Sequence, residues 1–147
     1  MDDMAQLVPE LLVSDFAASL AFYVGVLGFT VLYGRPEEQF AFLDRNGAQL
    51  MLDQRHPGDG RDWVAAETVY PYGRGVNFEI GVADATALHD RCVAAGARIF
   101  LAPEEKWYRR DALELGVRQF IVMDPDGYLL RLSQSIGTRP ARGDGNG

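Results

Sequence analysis

Cysteine, histidine and clustered positive charge are all scarce in this chain of 147 residues. Its one cysteine, Cys92, cannot form an internal disulfide, so a reducing, cytoplasmic setting is expected. The two histidines, His56 and His89, are both expected to be exposed. No apolar run approaches the roughly 20 residues that span a bilayer, which argues against a membrane-spanning helix. Met1-Asp2-Asp3-Met4 lacks the basic-then-apolar pattern of a secretory signal. The formal net charge is −7 and no Lys/Arg stripe offsets it, so repulsion from phosphate argues against nucleic acid as a partner and favours a cationic ligand. No Ser-His-Asp arrangement or phosphate-cradling glycine loop is present, and no catalytic residue is assigned. The 48% of hydrophobic residues and 24% of charged residues fit one ordinary globular domain over residues 1–147.

What the chain does contain is an internal repeat. Leu11-Leu12-Val13-Ser14-Asp15 is echoed by Ile80-Gly81-Val82-Ala83-Asp84, each an apolar strand end followed by an Asp suited to capping a helix. Phe16, Leu20, Tyr23 and Leu27, at i, i+4, i+7 and i+11, are expected to form the buried stripe of the first helix. Gly28 and Gly96 are placed to stop the two helices in the left-handed conformation. Short strands should follow, over Phe29 to Tyr33 and Ala97 to Leu101. The module ends match as well. Phe40-Ala41-Phe42-Leu43-Asp44 parallels Phe120-Ile121-Val122-Met123-Asp124, and Asn46-Gly47 and Asp126-Gly127 read as two-residue hairpin turns. Each final strand closes on a glutamine, Gln54 or Gln134. The fold class expected is α+β, with two tandem strand-helix-strand-strand-strand modules, module one over about 6–54 and module two over about 74–135.

Residues 55–73 are then a linker, with Trp63, Tyr70 and Tyr72 in it. Ala102 to Gly116 is an insertion in the second module, expected to be a loop that carries Lys106-Trp107-Tyr108-Arg109-Arg110. The Gly- and Arg-rich tail from Ile136 onward is expected to be disordered. Cys92 lies at helical spacing between Leu88 and Ala95 and reads as a small core residue. Asp124 and Asp126 read as turn formers.

The run Val13-Ser14-Asp15 with Ser19-Leu20-Ala21-Phe22-Tyr23 and Leu27-Gly28-Phe29, and the later run Asp124-Pro125-Asp126-Gly127-Tyr128-Leu129-Leu130-Arg131-Leu132, resemble the glyoxalase/bleomycin resistance/dioxygenase group, the vicinal oxygen chelate superfamily. The likeness covers about residues 6 to 135. It implies two βαβββ modules forming a curved mixed sheet around a central cleft, with helices on the outer face. Metal-using members place one ligand on the first and last strand of each module. Carried across, those positions are Val8 and Asn77, seven residues before the capping aspartates, and Met51 and Arg131, four residues after the turn glycines. A hard divalent ion needs carboxylate or imidazole donors there. A valine, a thioether, a neutral amide and a guanidinium do not supply them, and neither histidine stands at a ligand position. No metal and no cofactor is therefore expected.

Strand alternation adds Glu10, Gln49, Asp53, Glu79, Leu129 and Ser133 to the cleft face, and sends Leu11, Val13, Leu50, Leu52, Phe78, Ile80, Leu130 and Leu132 under the helices. Glu10, Glu79 and Arg131 are expected close together on the cleft floor, with mutual compensation as the first reading and ligand recognition as the second. Phe40 and Phe42 are read as split between cleft and core. Trp63, Trp107 and Tyr108 fall outside the core stripes and are candidates for stacking on a flat or cationic ligand. The ligand-binding set is thus Glu10, Met51, Trp63, Asn77, Glu79, Trp107, Tyr108 and Arg131. The Leu-Leu-Arg-Leu-Ser-Gln ending resembles the drug-binding, bleomycin-resistance branch. That implies a homodimer that sequesters a bleomycin-like or other heteroaromatic small molecule. The alternatives are a metal-dependent lyase or dioxygenase of the same fold, and an accessory domain with a closed cleft.

Overall fold

The computed structural model describes residues 4–56 and 63–142. Two βαβββ modules follow one another. The first contains β1 (Glu10–Val13), α1 (Phe16–Leu20), β2 (Thr30–Arg35), β3 (Phe40–Arg45) and β4 (Ala48–Gln54). The second contains β5 (Asn77–Gly81), α2 (Ala85–Ala94), β6 (Arg98–Arg110), β7 (Leu113–Met123) and β8 (Leu129–Pro140). Each builds a four-stranded mixed sheet of the same order, β1-β4-β3-β2 and β5-β8-β7-β6. In both, the first strand pairs in parallel with the last: Glu10 lies beside Met51 and Glu79 beside Arg131. By internal contacts the chain forms two compact units, one of residues up to 76 with the turn 123–128, the other of 77–122 with 129 onward.

The helix starts are built alike. Asp15 and Asp84 sit in extended backbone and accept hydrogen bonds from the amides of Ala18 (3.1 Å) and Ala87 (3.0 Å). The closing glutamines have a structural task here too. Gln54 Oε1 accepts from the Phe16 amide at 2.7 Å and Gln134 Oε1 from the Ala85 amide at 3.0 Å. Each last strand thus satisfies one of the free amides at the first turn of its own module's helix. Replacing Asp15 or Asp84 by alanine is expected to cost about 1 kcal/mol each. The two losses should add in chemical denaturation, because the caps are built from separate residues.

The buried stripe of the first helix differs from a regular 3.6-residue period. After Leu20 the chain widens into a π-helical turn, Ala21–Val26, closed by the Leu27 amide on the Phe22 carbonyl at 3.0 Å. The wider turn lets the adjacent Phe22 and Tyr23 both reach the core, while Phe16 and Leu20 are only half-buried. Gly28 and Gly96 close the two helical segments with φ of 83° and 75°.

Alternation in the paired strands is as expected. Leu11, Val13, Leu50, Leu52, Ile80, Leu130 and Leu132 are buried, with Phe78 half-buried. In the second module they pack beneath α2, which presents Ala85, Leu88 and Cys92. His89 is half-buried with its ring edge-on to Phe120 at 5.3 Å, not exposed. His56 is exposed.

Three further expectations need correction. The stretch 102–116 is not a loop: β6 and β7 run through it as a long hairpin turned at Asp111, where φ is 55°. The tail is strand as far as Pro140, and Ala141 donates to the Ala112 carbonyl at 2.9 Å; residues 143–147 lie outside the described residues. The second hairpin turn is also longer than its counterpart. Asn46 and Gly47 both have positive φ, as a two-residue turn requires. At the other turn Asp124 and Tyr128 pair across Pro125-Asp126-Gly127, a three-residue turn with only Gly127 left-handed.

Candidate functional site

Along one face of the second sheet, mostly alternating residues of β5, β7 and β8, with Val82, Gly116 and Thr138 between or beside them, line an open groove of about 800 Å³. β5 contributes Glu79 and Gly81, β8 contributes Arg131, Ser133, Ser135 and Gly137, and β7 contributes Leu115 and Val117. Tyr108 joins them from β6. The period of two is why these residues share a face, and why Leu130 and Leu132 between them are buried on the other.

Arg131 is the centre of the polar floor. Its Nη1 lies 3.1 Å from Glu79 Oε2, and its Nε donates to Asn77 Oδ1 at 3.1 Å. Nη1 also donates to Gln119 Oε1 at 3.3 Å. Gln119 is buried, and its amide nitrogen donates to Glu104 Oε2 and to the Tyr108 hydroxyl oxygen, both at 2.8 Å. A buried carboxamide with all its bonds made costs little and is rigid, whereas a half-satisfied one is expensive. Gln119 therefore locks Arg131 and Tyr108 in place. The sequence reading missed Gln119 and Glu104. The only signal for Gln119 was its place two residues after Val117 on an alternating strand, and Glu104 lay in the stretch read as loop.

The structure thus brings Asn77, Glu79, Tyr108 and Arg131 together. Trp107 is elsewhere. As the neighbour of Tyr108 on a strand it faces the reverse side, where its ring lies against Gly116, which Ile136 also approaches, and beneath the Arg139 guanidinium at 4.1 Å. Arg139 is in turn paired with Glu114 at 2.7 Å. Trp63 is exposed, with 73% of its surface accessible.

Glu10 and Met51 belong to the first unit, on the corresponding face of the first sheet. Burial raises the Glu10 carboxyl pKa, nearby Asp53 raises it further, and Arg35 offsets part of this. Phe40 and Phe42 share that face, since residues two apart on a strand point the same way, and they pair with Asp53 and Met51. The split expected of them is therefore wrong: both are buried, with Tyr33 stacked on Phe42 at 5.2 Å and Arg35 over Phe40 at 4.1 Å.

The fold family implies a divalent ion held by the first and last strands of each module, and the residues present do not fit one. At the second-module positions stand Asn77 and a guanidinium already bonded to it. In the first module they are Val8 and Met51, which carry no hard donor. Among the described residues no three His, Cys, Asp or Glu side chains come together in a way that could hold a metal. Cys92 is no better placed as a nucleophile: it is fully buried, and burial pushes its thiol pKa up to about 11.

Asp124 and Asp126 form the turn and do more. Asp124 Oδ1 accepts from the amides of Asp126 and Tyr128, both at 2.9 Å, and its Oδ2 from the Tyr23 hydroxyl at 2.7 Å. Asp126 accepts from the amide and hydroxyl of Ser14, and the Tyr128 hydroxyl donates to the Leu12 carbonyl at 2.8 Å. These bonds lie within the first unit and tie the turn to β1 and the first helix.

Residues 4–132 match the sequence model of the Glyoxalase/Bleomycin resistance protein/Dioxygenase superfamily. Among solved structures the chain is similar to a glyoxalase/bleomycin resistance protein/dioxygenase superfamily member from Vibrio splendidus 12B01, at 39% identity over 88% of this chain and 97% of that one, with a TM-score of 0.40. TioX from Micromonospora sp. ML1 is 23% identical over 90% of this chain and all of its own length (100%), with a TM-score of 0.64. The fosfomycin resistance protein FosX from Mesorhizobium loti is 15% identical over 88% of this chain and 91% of its own, with a TM-score of 0.58. No curated protein matches the chain.

Proposed function

The chain belongs to the glyoxalase/bleomycin resistance protein/dioxygenase superfamily, and from that premise we propose that it is a metal-free binding protein that sequesters a bleomycin-type antibiotic or a similar heteroaromatic molecule. It would act as a cytoplasmic homodimer. The observation that carries this reading is the guanidinium of Arg131, fixed by Glu79, Asn77 and buried Gln119 where metal-using relatives place a ligand. A cation so held repels a second cation and offers donors to a neutral or polar ligand instead.

The groove supports the same reading. A volume of about 800 Å³ lies within the range usual for small-molecule sites. Its lining mixes apolar side chains, Val82, Leu115 and Val117, with a few convergent polar ones. The net charge of −7 would favour a ligand with a cationic tail. Asn77, Glu79, Tyr108 and Arg131 are the proposed contacts on the second sheet, and Glu10 and Met51 those on the first. Trp63 is proposed as an exposed ring that stacks on the ligand. Trp107 is left out of the set, because its ring is packed on the reverse side.

Calorimetric titration of metal-stripped protein with metal-free bleomycin tests the reading. Saturable binding at micromolar concentration is expected, at least about tenfold weaker in Arg131→Glu, a change of about 1.4 kcal/mol or more. No heat of binding would sink the drug assignment. Zinc retained stoichiometrically through dialysis would overturn the metal-free reading.

A further inference from the structure

The salt bridge on the groove floor is only half used. Arg131 spends Nη1 and Nε on Glu79, Gln119 and Asn77, while its Nη2 bonds to no described residue. Glu79 spends Oε2, and its Oε1 is likewise uncommitted among the described residues. Both side chains reach solvent, with 28% and 53% of their surfaces accessible. Both also line the groove. The guanidinium cannot turn away without breaking its bonds to Gln119 and Asn77, and the Glu79 carboxylate stands against it through the 3.1 Å ion pair, so that a donor held in place lies beside an acceptor.

We propose that the Glu79–Arg131 pair reads a neutral, planar group that presents a hydrogen-bond acceptor beside a donor, the edge of a primary carboxamide. The carbonyl oxygen accepts from Arg131 Nη2 and the amide N–H donates to Glu79 Oε1. Charge decides against the alternatives. A carboxylate would gain from Arg131 but face Glu79, with Glu104 held behind Gln119. An ammonium group would gain from Glu79 but face a guanidinium that Gln119 and Asn77 hold in place. A neutral edge satisfies both partners and leaves no charge unpaired, which is the condition that makes hydrogen-bond recognition selective. Gln119 is a positioning residue in this scheme: its amide holds the guanidinium and meets no ligand itself.

The proposal rests on the groove being the ligand site, as argued above, but not on the ligand being bleomycin. It is tested with three probes of one shape: nicotinamide, nicotinate and 3-(aminomethyl)pyridine. Each is titrated into the 15N-labelled full chain while the Arg131 Nε–H and the Gln119 side-chain amide resonances are followed. Nicotinamide is expected to shift both saturably, with an apparent Kd at least about tenfold lower than either charged probe. Glu79→Gln and Arg131→Met should each reduce that preference to less than threefold. Gln119→Leu should weaken nicotinamide while broadening the Arg131 Nε–H resonance before any probe is added, which a role confined to fold stability would not do. Equal or tighter binding of a charged probe overturns the proposal, and so does the absence of any shift with nicotinamide. If nicotinamide binds selectively and bleomycin does not bind, the carboxamide proposal stands and the drug assignment falls. If bleomycin binds and nicotinamide does not, the reverse holds.

Discussion

Replacing Gly127 by alanine is expected to destabilise the protein by about 2–5 kcal/mol, the sum of a left-handed backbone cost of roughly 1–2 and an overpacking cost of roughly 1–3. The first part follows from its φ of 86°. The second is steric: a Cβ there would lie 2.5 Å from Pro71 Cβ and 2.7 Å from Pro71 Cα, so the backbone of the facing segment would have to move. The turn cannot shift freely to make room. The Asp126 carbonyl accepts from the Tyr72 amide at 2.8 Å, and the Gly127 carbonyl from the Gly73 amide at 3.3 Å. Gly47, at the matching turn, has a similar φ of 93° but open space around its Cα. Gly47→Ala should therefore cost only the backbone part, about 1–2 kcal/mol. The urea midpoints of the two variants check this, and equal losses would mean that the Pro71 contact contributes nothing.

Asp124→Ala should cost a similar amount, about 2–4 kcal/mol, because it strands three donors at once. The amides of Asp126 and Tyr128 and the hydroxyl of Tyr23 all lose their acceptor, and Tyr23 is fully buried. Burial also drives the Tyr23 pKa well above its ordinary value, so the hydroxyl stays a donor at any working pH. Removing both partners should hurt less than the sum of the two losses. The double variant with Tyr23→Phe is expected to show a coupling energy of about 1–2 kcal/mol.

The acid itself is held against its charge. Burial raises the Asp124 pKa above the ordinary 3.8, and the hydrogen bonds from Tyr23 and the two amides pull it back only in part. A raised folded-state value means that the folded protein holds the proton more tightly than the unfolded chain. The resulting stabilisation is complete below pH 3.8 and is lost as the pH rises through the raised value. Asp124→Asn should remove that component. Its stability relative to the parent would then improve as the pH rises through this interval, and a constant difference across it would show that the carboxyl does not titrate there.

Much of the fold could be read from short-range chemistry. Asp15, Asp84, Gly28, Gly96 and Asn46-Gly47 each act through their own backbone or a neighbour a few residues away, so local sequence is sufficient to place them. The alternation in β1, β4, β5 and β8 was legible because one face of each is buried and the other is not. β6 is legible only at its start, where a strand is expected as far as Leu101; beyond it the signal is lost. It is the edge strand of its sheet, exposed over much of its length, with Pro103 and three charged residues in its middle, so its composition looks like a loop. The stretch 136–140 carries no strand signal of its own, because its strand depends on pairing with the extended part of the β6–β7 hairpin.

The candidate site divides the same way. The sequence by itself determined the module repeat and the alternation of β5 and β8, and, with the family resemblance, that Val8, Met51, Asn77 and Arg131 stand where metal-using members place ligands. The repeat and the alternation are matters of spacing, and the lack of hard donors at the positions the resemblance implies is a matter of side-chain chemistry; none of these needs coordinates. Only the tertiary structure decided that Gln119 clamps Arg131, that Tyr108 faces the groove, and that Trp107 packs away behind it. A polar side chain declares its partners only once the strands carrying them are paired, and neighbours on a strand can be assigned to faces only once the strand is known to exist.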